Sequence, residues 1–489
     1  MFLVLLVFGA LSCALSSDAP PGSVPDTAAK RTRHVPGEIL PLAKRSGPGD
    51  EVFLNDLERR TFDYFWKLAN PKTGLVPDRW PTPSFASIAA TGFGLTAYPI
   101  GVERGWITRD QARQRVLLTL RFFWKAPQGA AVSGMSGYHG FFYHFLDGAS
   151  GARFKTVELS TIDTTLLLGG ILFCRDYFTG ANPEEVEIRK LADEIYRRVD
   201  WNWASPHAPV VTNGWTPEHG FLKYDYRGYN EAMLLYLLAL GSPTHAIPTA
   251  AWGAWCSTYD WAPFEGYDYL AFPPLFGHQY SHVWVDFRGI RDAFMRAHDS
   301  DYFENSRRAT LAQRAWAIAN PKGWKGLGPD VWGVTACDGP ADATLRFKGE
   351  KRRFWTYAGR GVGVGAKVDD GTIAPTAAGG SIAFAPRVAI AALEAMRARY
   401  GDHLYGRYGF RDAFNPSFEY KIPVEHGAVV PGLGWFDSDY IGIDEGPIVA
   451  MIENYRSGLI WRVMRHDPDL RRGLARAGFT GGWLEDAKP

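Results

Sequence analysis

The stretch Ser160-Thr-Ile-Asp-Thr-Thr-Leu-Leu-Leu-Gly-Gly-Ile-Leu-Phe-Cys-Arg-Asp-Tyr-Phe178 is apolar nearly all round when wound as a helix. A helix without a polar face has no side to give to water and must be enclosed. The next helical pattern, Pro183 to Val199, does carry a polar face. The same contrast recurs upstream, where Ala86 to Glu103 is apolar all round and Arg109 to Trp124 is amphipathic. Glu51 to Leu68 is amphipathic, Ser306 to Ile318 carries a polar face, and Pro386 to Tyr400 and Pro447 to Met464 complete the set. Buried and amphipathic helices in alternation predict an inner ring sheathed by an outer one, an all-α (α/α)6 toroid or barrel of about six helix pairs.

Strand-like pieces are short: Gly140 to Phe145, Phe154 to Glu158 and Gly220 to Tyr226. They read as β-hairpin decorations at one end, and no strand–helix alternation supports a parallel sheet. Long loops rich in Gly, Trp, His and Asp cover residues 259–285, 320–384 and 402–446. Loops of that length in a compact domain usually carry function. Gly361-Val-Gly-Val-Gly is loop punctuation, since no strand leads in and no helix follows.

Residues 50–489 are expected to form a single domain. Met1 to Leu15 is too short for a membrane span and has the apolar core of a signal peptide, assigned to residues 1–16. Residues 17–49, rich in Pro, Ala, Gly and Arg, read as a disordered linker. A periplasmic or secreted monomer without stable membrane insertion is expected. Beyond the leader, Cys174, Cys256 and Cys337 cannot all pair within one chain, and none has metal-ligand spacing. No metal and no cofactor are expected.

A formal net charge of +1 argues against a nucleic-acid partner, which needs a concentrated basic surface. Aromatic content is the outlying number, at 14% with 18 Trp and 22 Tyr. Flat faces with a polar handle suit stacking on sugar rings, although most must serve the core.

Glycosidic cleavage needs one carboxyl group protonated and a second one ionised. Three clusters offer candidates. In Arg227-Gly-Tyr-Asn-Glu-Ala-Met-Leu-Leu-Tyr236, Glu231 stands at the mouth of an apolar helix, where burial would raise its pKa. The plainer role is a first-turn acid complementing the helix dipole. Glu158-Leu-Ser-Thr-Ile-Asp163 opens the 160–178 helix, and Ser160 with Asp163 also resembles a capping box. Trp435-Phe-Asp-Ser-Asp-Tyr-Ile-Gly-Ile-Asp-Glu-Gly-Pro447 sets Asp437, Asp439, Asp444 and Glu445 before another inward helix, with Pro447 suited to its first position. No His-Glu-x-x-His or Gly-x-Ser-x-Gly motif occurs, and no calcium-loop pattern surrounds Asp338 or Asp369-Asp370.

Gly228-Tyr-Asn-Glu231, Pro274-Leu-Phe-Gly-His-Gln-Tyr-Ser281, Asn320-Pro-Lys-Gly323, Trp332-Gly-Val-Thr-Ala-Cys-Asp-Gly-Pro340 and Gly371-Thr-Ile-Ala-Pro-Thr376 stand in this order. With Asp444-Glu-Gly-Pro447 and Ile452-Glu-Asn-Tyr-Arg456, they resemble the glycoamylase-like family across residues 51–466. That family includes bacterial endo-β-1,2-glucanases of glycoside hydrolase family 144. The resemblance implies an (α/α)6 barrel and a metal-free hydrolase that usually inverts the anomeric centre, with a related branch that transglycosylates with retention. It implies Glu231 as the acid and places Asp163 on an acidic position of the neighbouring helix. Endo-acting members carry a second acid where this chain has Ser160; Glu158 could reach the same space from another backbone point.

The expectation is therefore a glycoside hydrolase acting on a β-glucan oligo- or polysaccharide, β-1,2-linked in the first instance. The base is left open among Asp163, Asp439 and Asp444. Trp215, Trp332, Trp435 and Tyr440 are candidates to stack on sugar; Arg227, Tyr229, His278, Asp338 and Asp439 are candidates to bind its hydroxyls. The rivals are a retaining transglycosylase, a polysaccharide lyase and a non-catalytic periplasmic glucan-binding protein.

Overall fold

The computed structural model describes residues 47–485. The expected signal peptide and most of the expected linker lie outside them. The first nine helices of the described residues are α1 (Pro48–Leu68), α2 (Ile88–Glu103), α3 (Arg109–Lys125), α4 (Thr161–Tyr177), α5 (Pro183–Arg197), α6 (Met233–Gly241), α7 (Ala250–Cys256), α8 (Tyr280–Trp284) and α9 (Ala293–Ala297). They are followed by α10 (Tyr302–Ala319), α11 (Pro375–Gly379), α12 (Pro386–Tyr400), α13 (Gly442–Arg456), α14 (Leu459–Met464) and α15 (Pro468–Arg476).

The two kinds of helix take different places. Every residue of α6, and nearly every residue of α2, α4 and α13, is buried. These four form the interior: α2 lies between α4 and α13, α4 touches α6, and α11 touches α13. Outside them, α1 covers α2 and α13, α3 and α5 cover α2 and α4, α12 backs α11 and α15 backs α6. The outer helices begin with the signals their polar faces allow. Thr108 and Gln111 form a reciprocal capping box at α3, and Asn182 caps α5 ahead of Pro183. Arg109 then clamps the two, its Nε 2.8 Å from Glu185 Oε1.

Interior helices can approach this closely only where side chains vanish. A Cβ on Gly170 would run into the Gly92 carbonyl, and one on Gly92 into the backbone at Leu166 and Leu167. Gly170→Ala is accordingly expected to cost about 1–3 kcal/mol through overpacking. A lowered urea midpoint with an unchanged slope would register it; an unchanged midpoint would show that the α2–α4 contact yields without cost.

Three expectations need correction. Residues 154–158 are not a strand. The chain turns at Lys155, which has φ +50°, and pairing begins at Leu159–Ser160. That short strand belongs to a five-stranded antiparallel sheet (137–138, 141–143, 159–160, 214–216, 220–221), in which Ser160 faces both Phe142 and Gly214. Secondly, the long loops are themselves built. Hairpin 261–264/267–270 lies in the first, hairpin 343–347/350–354 in the second and a three-stranded sheet in the third. Thirdly, Pro447 is not at a helix start, because α13 begins at Gly442 and ends at Arg456 before Gly458 turns left-handed at φ +69°.

The second loop is held by a wholly buried ion pair. Arg360 places Nη2 2.9 Å from Asp370 Oδ2 and Nε 3.0 Å from Oδ1. Its remaining N–H groups donate to the carbonyls of Cys337, Trp355 and Thr356.

Candidate active site

Two groups of carboxylates gather at the interior helix ends. The first lies where α4 and α6 begin. Ser160, pinned between two strands, caps α4 by accepting from the Asp163 N–H at 3.1 Å, and its hydroxyl donates to Asp163 Oδ2 at 2.5 Å. Capping is therefore part of what this pair does, as the sequence allowed. It does not exhaust Asp163, because His144 Nε2 also stands 3.5 Å from Asp163 Oδ2. The other imidazole nitrogen, Nδ1, is 2.8 Å from Glu158 Oε1. Glu158 thus engages His144 directly.

Glu231 stands two residues before α6, in a turn that Asn230 closes by accepting from the Ala232 N–H. Ser281 of α8 braces this turn: its hydroxyl donates to the Glu231 carbonyl and accepts from the Leu234 N–H, each at 2.9 Å. Glu231 is not a first-turn residue of α6, which has no acid there. The residue keeps an opening to solvent, yet dense surrounding protein pushes its carboxyl up to about 7, against its own backbone N–H and with help from the Asp163 charge. At neutral pH such a group can hold a proton and release it. Burial also lifts Asp163 above the ordinary carboxylate range, while the His144 charge and the Ser160 hydroxyl pull it back.

The second group centres on Arg79, whose Nη1 is 2.7 Å from Asp338 Oδ2 and 3.5 Å from Asp439 Oδ2. Asp78 approaches its Nε at 3.3 Å. Asp412 accepts from the Asp338 N–H at 2.7 Å, and its carboxyl adjoins that of Asp444. Burial, then the Asp338 charge, push Asp412 up to about 7. Asp444 lies well above the ordinary range through burial and then Asp412. Burial likewise raises Asp437 and Glu445. Burial first, and then the charges of Asp444, Tyr357, Glu231 and Asp163, raise the Tyr280 hydroxyl, which lies within reach of both groups.

Among the described residues, Asp338 with His426 and Asp439, and Asp338 with Asp412 and Asp437, could each hold a cation, their ligand atoms lying within 4.8 Å of one another. Arg79 already brings positive charge to Asp338 and Asp439.

Several residues expected to contact sugar are enclosed. Trp332 and Trp435 are fully enclosed, and Trp435 donates its indole N–H to the His426 carbonyl, so neither offers a ring face. His278 has no exposed surface; it meets the Phe272 carbonyl and Asn305, and burial pushes it down to about 3, a neutral core imidazole. Tyr229 packs on His278, Tyr259 and Tyr302. Tyr440 is buried against Trp80 and Tyr408. Asp439 accepts from the Thr82 N–H and hydroxyl and is wholly buried, a bracing role. Arg227 is exposed just ahead of the Glu231 turn. Trp215, half-buried, joins Tyr138 and Trp203 in an aromatic patch on the five-stranded sheet. Sequence reasoning missed Asp78, Arg79, His144, Tyr280 and Asp412. Their only local mark is a polar residue set in aromatic surroundings, as in Phe141-Phe-Tyr-His-Phe145.

A family model described as “Putative glucoamylase” matches residues 223–468. A curated protein of Parabacteroides distasonis, an “Exo beta-1,2-glucooligosaccharide sophorohydrolase (non-reducing end)”, is 29% identical over 464 residues, covering 87% of this chain. The chain spans 58% of that relative's length. Among solved structures, a “putative glucoamylase” from Bacteroides uniformis superposes with TM-score 0.76 at 32% identity, over 90% of this chain and 100% of that one. The “Endo-beta-1,2-glucanase from Chitinophaga pinensis”, solved with sophorotriose and glucose, gives 0.75 at 29% identity, over 89% and 99%.

Proposed function

The chain belongs to the glycoamylase-like family, and from that premise we propose that it is a glycoside hydrolase cleaving β-1,2-glucan. The observation that carries the mechanism is Glu231: a carboxyl raised to about 7 by burial, with the charge of a second carboxyl, Asp163, adding to the shift. Glu231 protonates the glycosidic oxygen as the bond breaks. Asp163 orients and activates water, or passes its proton through hydroxyls towards the Asp412–Asp444 pair. The alternation of enclosed and covering helices supports an (α/α)6 toroid as the frame, with residues 50–489 as one catalytic domain. The apolar run of residues 1–15 supports export to the periplasm or beyond. Trp215 and Arg227 are the expected residues best placed to meet a sugar chain, since both keep exposed surface.

Linear β-1,2-glucan incubated with the protein tests this reading. Inversion of a β-linkage predicts that the α-anomer appears first. First appearance of the β-anomer would replace inversion by a retaining, transglycosylating reaction. Polymer binding without turnover would make the protein a glucan-binding one.

A further inference from the structure

His144 is built into the site twice over. Its backbone N–H donates to the Glu158 carbonyl at 2.9 Å, which sets the two residues in register. Its ring stacks on Phe145 with centroids 3.9 Å apart and has almost no exposed surface. Both ring nitrogens face carboxylates: Nδ1 meets Glu158 at 2.8 Å and Nε2 meets Asp163 at 3.5 Å. Both can donate only if both carry protons, so the arrangement calls for an imidazolium. A buried cation between two acids is costly to assemble, and an apolar residue would fill the same volume more cheaply.

We propose that His144, anchored by Glu158, is a positioning residue that aims the Asp163 carboxylate at the reaction opposite Glu231 and keeps it ionised. This rests on Asp163 being the partner of Glu231. The groups facing His144 are Asp163, Glu158 and Asp78, with Arg153 acting on Glu158 from beyond. Burial works against the charged ring, yet the two carboxylates outweigh it and hold His144 at about 9. The same contact holds Glu158 below its ordinary range despite burial. The sign follows. Below pH 9 the imidazolium favours ionised Asp163, so removing it lets Asp163 take up a proton at higher pH.

His144→Gln and Glu158→Gln are the variants to compare with wild type on β-1,2-glucan. His144→Gln should lower kcat by about tenfold or more, leave KM within about threefold and move the acid limb of kcat/KM up by about one pH unit. Glu158→Gln, which removes a negative charge that raises Asp163 and leaves the ring protonated at the acid limb, should lower kcat without moving that limb up. An acid limb that stays put in His144→Gln, or that rises as far in Glu158→Gln, would overturn the proposal, whatever the loss of rate. A second readout needs neither turnover nor a folded variant at residue 144: histidine-selective NMR titration of the intact wild type. His144 titrating near 9, and falling by about one unit or more in Glu158→Gln, supports the clamp. A ring already neutral at pH 7 in wild type overturns it. Absence of any glucan turnover by wild type would instead remove the hydrolase reading, and the titration would still decide the charge state of His144.

Discussion

Glu231→Gln is expected to cut kcat on β-1,2-glucan by about a hundredfold to ten-thousandfold, the usual worth of a positioned general acid. Glutamine keeps the shape and loses the proton, so KM should change far less than kcat. In wild type the basic limb of the rate should fall as pH rises through about 7, the value at which burial holds Glu231. In the variant that limb should vanish. Stability should move the other way. A folded-state pKa raised above the ordinary 4.5 means that folding is penalised by Glu231 increasingly as pH passes from 4.5 towards 7, and fully above it. Glu231→Gln should therefore melt at or above the wild-type temperature at pH 8 and show no such gain at pH 4. Undiminished turnover, or a variant less stable than wild type at pH 8, would remove Glu231 from this role.

Asp370→Ala should destabilise the fold by about 3–5 kcal/mol, because it leaves a fully enclosed guanidinium without its counter-charge. Arg360 and Asp370 both have no exposed surface. Despite burial, Arg360 holds Asp370 below the ordinary carboxylate range. The contribution is accordingly present above that range and lost only as pH falls through the lowered value. The gap between variant and wild type should therefore be constant near neutrality and close in strong acid. Replacing Arg360 as well should restore only part of the loss, since the carbonyls of Cys337, Trp355 and Thr356 would lose their donor. Chemical unfolding of both single variants and the double variant measures this; complete recovery in the double variant would show that the carbonyl contacts contribute nothing.

The helical frame was legible because its signal is local. The apolar surround of residues 160–178 and the polar face of 183–199 each emerge from a single window, and the helices formed there end within two residues of expectation. Glu231 and Asp163 were legible for the same reason, each standing at the border of an apolar run. What remained hidden depends on long-range pairing. Two-residue strands such as Leu159–Ser160 are too short to show a two-residue alternation, so the sheet that pins Ser160 left no pattern. Trp332, Trp435 and His278 were expected to bind sugar because their loops are long. Those loops fold back against the rest of the molecule, and the two Trp rings join its hydrophobic core while His278 is enclosed beside it. Arg79 drew no notice because its partners are Asp338 and Asp439, far along the chain.

The pairing of Arg79–Trp80 with Tyr440–Ile441, and of α1 with α13, is a seam joining the beginning of the described chain to its end. His144, Glu158, Asp163 and Glu231 all emerge from the ribosome inside one stretch of the growing chain, whereas Arg79 must wait for Asp439 before its electrostatic environment is complete. The helix that follows Glu231, α6, is itself backed by α15, so both carboxylate groups are completed only once the C-terminal segment is in place. Premature termination anywhere before residue 440 would remove α13 and α15 and leave α2, α1 and α6 without the helices that pack on them, a substrate for quality-control proteases rather than a weak enzyme.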